Sequence, residues 1–300
     1  MSKQCLLLFA KSSYHSKLTD PIRLSELINQ AEADIQASWA YFEELLFYVD
    51  NQKVEVIDTR NAAAIEDYNS VYFRFFGDPA VTGHALAAAR VCSLKSIPFV
   101  DSEVLRTGSQ NKITQYINLH EAKVSIPRSL MGAGQLLGDY YEKYGFTFPF
   151  ILKDISGSRG QSNYLVKTKD ELAHILAKQP DTTFVVQDFL PNTGDYRVIV
   201  FGDQVKMIIE RTAVDGSHLN NTSQGGGAKV VPVETLPEQV RADCVRAAAF
   251  YGRQIAGVDI VQSKADNQYY CFEVNRAPQI ENASFESEKS QLLADYLAQL

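Results

Sequence analysis

The sequence predicts an α/β protein that becomes α+β in its C-terminal lobe. Three observations carry this. Over the first hundred residues, apolar strand runs alternate with the 3.6-residue spacing of helices, the pattern of a doubly wound parallel sheet. Towards the C-terminus strand follows strand across short polar turns, which requires antiparallel pairing. With 300 residues, 45% apolar and 22% charged, the chain is long enough for roughly two or three compact lobes and too apolar for wholesale disorder.

Residues 4–10 form a buried-strand run, and residues 35–49 carry the apolar spacing of a helix. Residues 54–58 and 71–76 read as strands, and 80–94 as a helix that Pro79 begins. No glycine fingerprint follows the first strand, so a dinucleotide site has no support there. A helix over 107–122 leads to an extended segment at 124–127, restricted by Pro127. Then come a helix at 133–144, a strand at 149–153, a glycine loop at 157–160, a strand at 163–166, a helix at 170–178 and a strand at 183–187. Strands at 196–201 and 204–210 flank a Gly202-Asp203 turn and form an antiparallel hairpin. A polar, glycine-rich stretch at 215–227 and a helix at 237–252 follow, and then strands at 257–262 and 269–274 around a polar turn at 265–267.

A formal charge of -7 argues against a general nucleic-acid binder, which needs a basic face to displace counterions. A local basic pocket for small anions is compatible with it. The longest apolar runs are too short to span a bilayer, and the N-terminus lacks a secretory cleavage pattern. Cys5, Cys92, Cys244 and Cys271 are scattered, so they read as buried thiols of a cytoplasmic protein rather than disulfide or zinc partners.

Three stretches carry chemistry. In the last hairpin Glu273 and Asn275 are two apart and leave one strand face, while Asp259 on the preceding strand can meet them across the pairing. Two carboxylates and an amide oxygen make an all-oxygen set suited to magnesium. A solvated strand end is the alternative, but "AGVDIV" and "YCFEVN" are apolar, and unpaired carboxylates are costly there. The second stretch is Lys153, ending the strand "FPFILK", with Gly157 and Gly160 just beyond it. Glycines let backbone N–H groups close around phosphate, and the lysine adds a point charge. It is not a Walker A sequence, and an ordinary turn would look the same. The third is "VVQDFLPNTGDYRV", where a chain crossing between lobes can offer backbone groups to an adenine, or simply link two lobes.

These pieces, in the order Lys112, Lys153 with its loop, Gln187 to Leu190, Asp195 and Arg197, Arg211, Asn221 with Gly225 to Gly227, Asp259, then Glu273 and Asn275, resemble the ATP-grasp superfamily. Within it the likeness is to the RimK-type ligases that add glutamate to a ribosomal protein, and to related peptide ligases. The resemblance covers roughly residues 105–280. It implies an ATP-grasp fold preceded by a Rossmann-like parallel α/β domain, with divisions at 1–106, 107–187 and 188–300.

The resemblance also implies roles. Lys112 and Lys153 reach the phosphates, and Gly157, Ser158, Arg159, Gly160 and Gln161 form the flap over them. Gln187, Asp188, Phe189 and Leu190 form the hinge that faces adenine, with Asp195 on the ribose and Arg197 beside it. Asp188 stands where the family commonly has glutamate, a small change if the hinge contacts are made by backbone. Arg211 and Asn221 meet the transferred phosphate and the metal shell; Asp259, Glu273 and Asn275 hold magnesium, two ions being expected and manganese an accepted substitute. Leu219 replaces an arginine common in RimK-type enzymes, with His218 beside it. "NRAPQIENAS" replaces the commoner serine-proline-glycine form, leaving Arg276 as either a carboxylate clamp or a surface salt bridge. The activity implied is ATP-dependent joining of a carboxylate to an amine from an amino acid, a peptide or a protein tail. A hydroxyl kinase on the same fold and a non-catalytic ATP-binding regulator are the alternatives, and the sequence is compatible with an oligomer.

Overall fold

The computed structural model describes residues 2–11, 20–49, 53–74, 81–105, 112–155, 162–180, 182–212, 227–276, 278–281 and 284–300. Strand β1 (Lys3–Phe9) is buried from Cys5 onward, as a strand covered on both faces must be. Helix α1 (Pro21–Gln30) starts where Asp20 accepts a hydrogen bond from Arg23 N and Pro21 sets the first turn. Next come β2 (Ile35–Tyr41), β3 (Leu45–Val49), β4 (Val54–Asp58), β5 (Ala63–Ala64), β6 (Ser70–Phe73), α2 (Thr82–Leu94) and β7 (Phe99–Val100). Strands in the order β2-β1-β6-β7 make the expected parallel sheet.

Residues 35–49 depart from the sequence reading. In place of one helix they form β2, a 3-10 turn at Phe42–Glu44, and β3. The run is aromatic-rich, and each of the seven residues of β2 pairs with β1. That non-local pairing outweighs a helical spacing that exists only in sequence. The strand at 54–58 is present as β4, but it belongs to a separate antiparallel sheet, β3-β4-β5. Helix α2 begins at Thr82; Pro79 and Ala80 lie outside the described residues.

The middle of the chain holds α3 (Lys112–Glu121), β8 (Ser129–Ala133), α4 (Gly134–Tyr140), β9 (Phe150–Asp154), β10 (Asn163–Val166), α5 (Lys169–Lys178) and β11 (Thr183–Asp188). Its antiparallel sheet runs β10-β9-β11-β8, and Leu137 and Leu172 from the two helices pack on Phe150 and Phe184. The last part holds β12 (Gly194–Phe201), β13 (Gln204–Thr212), β14 (Ala228–Val231), α6 (Glu238–Tyr251), β15 (Ile255–Gln262), β16 (Tyr269–Arg276) and α7 (Glu286–Ala298). Its antiparallel sheet runs β14-β13-β12-β15-β16. The sequence reading had no expectation for α1, β5, β7, β8, β14 or α7.

Alternation along these strands positions the site. Val198, Val200, Ile208, Ala256 and Val258 point to one face, where α6 covers them with Cys244, Ala247 and Ala248. On the other face Ile199, Phe201, Met207 and Ile209 pack with Phe9, Leu24, Leu293 and Leu297, so the sheet, β1, α1 and α7 share one core. The same face continues beyond that core into Asp195, Arg197, Arg211 and Asp259. Among the described residues no helix is long and apolar enough to cross a membrane, and the four cysteines are free and buried.

A buried ionic group ties the segment that follows β7 to the last sheet. Glu103 accepts from Arg253 Nε at 2.7 Å and Nη2 at 2.9 Å, and from Arg276 Nη2 at 2.8 Å. Beside it Asp101 Oδ1 accepts from Ile255 N at 3.2 Å. Burial pushes the Asp101 carboxyl from its ordinary 3.8 up to about 7; Glu103 adds to this, while the Ile255 N–H, Arg253 and Arg276 oppose it. A folded pKa raised above the unfolded one means that the native state binds the proton more tightly. The stabilisation from this group is therefore complete below pH ~4 and lost as the pH rises through about 7. Asp101→Asn, which keeps the acceptor for Ile255 N, should flatten the stability decline across that window, read from urea midpoints at several pH values.

Candidate active site

The charged half of the open sheet face is built from cross-strand pairs. Asp195 on β12 faces Arg211 on β13, and Arg197 on β12 faces Asp259 on β15. Arg211 donates to both oxygens of Asp195, Nε to Oδ1 and Nη2 to Oδ2, each at 2.6 Å, and also to Asp259 Oδ1 at 3.0 Å. Arg197 Nε lies 2.6 Å from Asp259 Oδ1, and its Nη2 donates to Oδ2 at 3.2 Å. Burial works against the Arg211 charge, but Asp259 and Asp195 outweigh it and hold the guanidinium above its ordinary range. Burial pushes the Asp195 carboxyl up, to about 6, although the Arg211 fork pulls the other way.

Two glycines let this row form. A Cβ on Gly194 would stand 2.0 Å from the backbone oxygen of Arg211, so only glycine lets β12 and β13 close there. A Cβ on Gly257 would stand 2.9 Å from Arg197 Nη1, so the arginine lies across bare backbone on its way to Asp259.

The expected meeting of Asp259 with Glu273 and Asn275 occurs. Asp259 pairs with Glu273, and Asn275 Nδ2 donates to Asp259 Oδ2 at 3.3 Å. One residue beyond, Ile260 pairs with Cys271, so Phe272 is an extra residue in β16. This bulge reverses the side-chain parity: Cys271 and Val274 enter the α6 core, while Glu273 and Asn275 share the Asp259 face.

The facing wall comes from the middle sheet. Lys112, the first residue of α3, donates from Nζ to Asp154 O at 3.2 Å and to Ile155 O at 3.1 Å. Lys153 Nζ on β9 donates to Gln187 Oε1 at 2.6 Å and lies 4.7 Å from the centre of the Phe272 ring. Burial lowers both lysines, Lys153 to about 8, and the Glu273 charge opposes that in each case. The Glu273 charge thus acts on both Lys112 of α3 and Lys153 of β9.

Other expected residues have different surroundings. Gln187 is fully buried, with its amide directed at Lys153, Tyr116 and Ser129. Asp188 is held by Arg128, at 3.1 Å from Nε and 2.8 Å from Nη2, while Phe189 and Leu190 follow β11 half-buried. Arg276, expected as a carboxylate clamp or a surface salt bridge, pairs here with the buried Glu103 at 2.8 Å. Gly157, Ser158, Arg159, Gly160, Gln161 and Asn221 lie outside the described residues. The sequence reading missed Tyr116 and Phe272. Tyr116 had a signal, being four residues after Lys112 on one helix; the Phe272 bulge had none.

A cavity of about 180 Å³ opens at the end of the sheet, beside Asp195, Arg211, Glu210 and Lys264. A larger one, about 370 Å³, lies by α7 and contains none of the expected residues. Among the described residues no three His, Cys, Asp or Glu side chains group as a metal site. The set here is two carboxylates and an amide. All of its donor atoms are oxygens on one face of a paired hairpin, which fits magnesium.

The model of the RimK-like ATP-grasp domain matches residues 109–295. The chain belongs to the RimK-like ATP-grasp family. It is 32% identical over 144 residues to a probable alpha-L-glutamate ligase of Sodalis glossinidius, with 47% of each chain covered, so the match spans about half of that relative. Against a probable alpha-L-glutamate ligase of Haemophilus ducreyi it is 26% identical, covering 93% of this chain and 88% of the other. Among solved structures it resembles the ATP-grasp ligase PsnB complexed with precursor peptide PsnA2 and AMPPNP (TM-score 0.69, 17% identity, 98% and 97% of the two chains). It also resembles D-alanyl-alanine synthetase A of Vibrio cholerae (TM-score 0.63, 16% identity, 99% and 97%). These two likenesses show the ATP-grasp fold, here following a parallel α/β sheet. ATP-grasp ligases use ATP and magnesium, and PsnB is also known in complex with magnesium and ADP.

The two glycines give an ordering to test in this RimK-like chain. Gly194→Ala should cost about 1–3 kcal/mol, because its Cβ meets rigid backbone. Gly257→Ala should cost less, because its nearest contact is the movable end of Arg197. Thermal or urea melts of the two variants check the order.

Proposed function

We propose that this chain is an ATP-dependent ligase that joins a carboxylate to an amine through an acyl phosphate, releasing ADP and phosphate. The observation that carries the reading is that Lys112 at the start of α3 and Lys153 on β9 stand beside the Glu273 strand, Lys153 Nζ lying 4.7 Å from the Phe272 ring, with Asp259 and Asn275 on the same hairpin. A carboxylate and an amine at neutral pH merely ionise. Activation needs a carboxylate oxygen to attack the γ-phosphorus, with the bond to ADP breaking, and both reactants are anionic.

The residues answer that repulsion. Lys112 and Lys153 bind phosphate oxygens, and Arg211 and Arg197 add cations beside Asp259. Asp259, Glu273 and Asn275 hold magnesium, in the full reading two ions with manganese as a substitute; when bound, the metal neutralises phosphate charge as a Lewis acid. Arg197 and Arg211 must share Asp259 with it. Gly157 to Gln161 cover the phosphates, Asn221 joins the phosphate contacts, and Asp188 to Leu190 with Asp195 face the nucleoside. The amine nitrogen then attacks the acyl carbon, and phosphate leaves.

The proposed division is 1–106, 107–187 and 188–300. The amine belongs to an amino acid, a peptide or a protein tail: the relatives are named for glutamate ligation, and PsnB binds a precursor peptide. The four buried, free cysteines suit a reducing cytoplasm.

Lys153→Ala should weaken ATP binding by about 1.5–3 kcal/mol with little change in melting, as calorimetry and thermal melts would record. Glu273→Gln should still bind ATP but lose most turnover, read as ADP production against magnesium concentration; full activity in that variant would defeat the metal assignment. Hydroxylamine supplied with ATP and the carboxylate substrate should yield a hydroxamate. Turnover in which carboxylate oxygen never reaches inorganic phosphate would favour a hydroxyl kinase instead.

A further inference from the structure

We propose that Gln187 and Tyr116 are positioning residues that aim Lys153 into the cleft through a hydrogen-bond chain anchored on the metal-binding hairpin. The proposal rests on the ATP-site reading above and gives Gln187 a task other than facing the nucleotide.

The argument is one of donors and acceptors. Ser129 Oγ donates its single proton to Pro127 O at 2.9 Å, and Tyr116 Oη donates its own to Phe272 O at 3.3 Å. Towards Gln187 each hydroxyl can then only accept. Gln187 Nε2 meets both, at 3.0 Å from Ser129 Oγ and 2.7 Å from Tyr116 Oη. The amide orientation is thereby set, and Oε1 faces Lys153 Nζ at 2.6 Å. A flipped amide would point N–H groups at an ammonium and an oxygen at two hydroxyls whose protons are already committed. Gln187 is fully buried, so water cannot relax such a mismatch.

The two anchors are backbone carbonyls, one before β8 and one on β16. The second belongs to Phe272, the bulge residue beside Glu273, whose ring also lies 4.7 Å from Lys153 Nζ. Cross-strand pairing supplies the rest: Gln187 on β11 pairs with Ser129 on β8 and with Ile151 on β9, two residues from Lys153. The phosphate lysine and the metal carboxylate, on different sheets, are therefore held in register through one tyrosine and one glutamine.

A purely structural network and a positioning one differ in their dependence on Lys153. Calorimetric titration of wild type, Tyr116→Phe, Lys153→Ala and the double variant with magnesium-ATP separates them. Tyr116→Phe keeps the ring but removes the proton donated to Phe272 and one acceptor for Gln187. It should weaken binding about two- to tenfold in the wild-type background and less than about twofold once Lys153 is alanine. Gln187→Leu, which removes both the oxygen facing Lys153 and the amide that meets the two hydroxyls, should lose about tenfold or more. Equal losses from Tyr116→Phe in both backgrounds, at unchanged melting temperature, would overturn the positioning role while leaving the ATP site standing. ATP affinity unchanged in Lys153→Ala would overturn the ATP-site reading, and the relay with it.

Discussion

Asp259 is the group on which the site depends. With 9% of its surface exposed it is an anion removed from water, and such an anion is tolerable only with cations and donors in contact. Arg197 and Arg211 supply the cations and Asn275 a third donor. Two arginines on one carboxylate would leave an excess of positive charge. Asp195 balances it by taking the fork of Arg211. The four side chains form a neutral set of two acids and two bases laid across three neighbouring strands. That geometry accounts for two glycines, since bulk at Gly194 would hold β12 from β13 and bulk at Gly257 would block Arg197.

The parallel sheet is bound to this site by ions as well as by apolar packing. Glu103 joins Arg253, just before β15, and Arg276, the last residue of β16. A second pair, Arg74 at the end of β6 with Glu281, is 2.6 Å long with both side chains essentially unexposed. Glu281 lies in the segment where the sequence departs from the family's serine-proline-glycine form. The departure has a physical correlate: the segment carries a carboxylate that closes on the N-terminal sheet. Removing one partner of such a pair leaves a buried charge without compensation, which ordinarily costs about 3–5 kcal/mol. The parallel sheet is therefore held through residues that follow β16 in the chain.

Much of the fold is legible in sequence because its strands announce themselves locally. The run at 163–166 and the turn at Gly202-Asp203 are fixed by apolar alternation and by glycine, and both appear where the pattern puts them. Helix α1 had local signals in Asp20, Pro21 and the apolar face of Leu24, Leu27 and Ile28, and it was passed over all the same. The error at 35–49 has another origin. Its helical and strand periods both describe an aromatic-rich segment, and the decision lies in β1, some thirty residues away in sequence.

The same division runs through the site. Residue spacing alone determined that Glu273 and Asn275 leave one face and that a lysine ends an apolar strand before a glycine loop. It determined the order of the pieces too, and with it the family. Tertiary structure decided what each side chain touches. Asp195 turned to Arg211, Arg276 turned to Glu103, and the Gln187 amide was oriented by hydroxyls from two other elements. The reason is physical: periodicity fixes the direction in which a side chain leaves its own backbone, a local property. The partner that neutralises a buried charge or completes a hydrogen bond comes from another strand or helix, whose position is set only once the chain has packed.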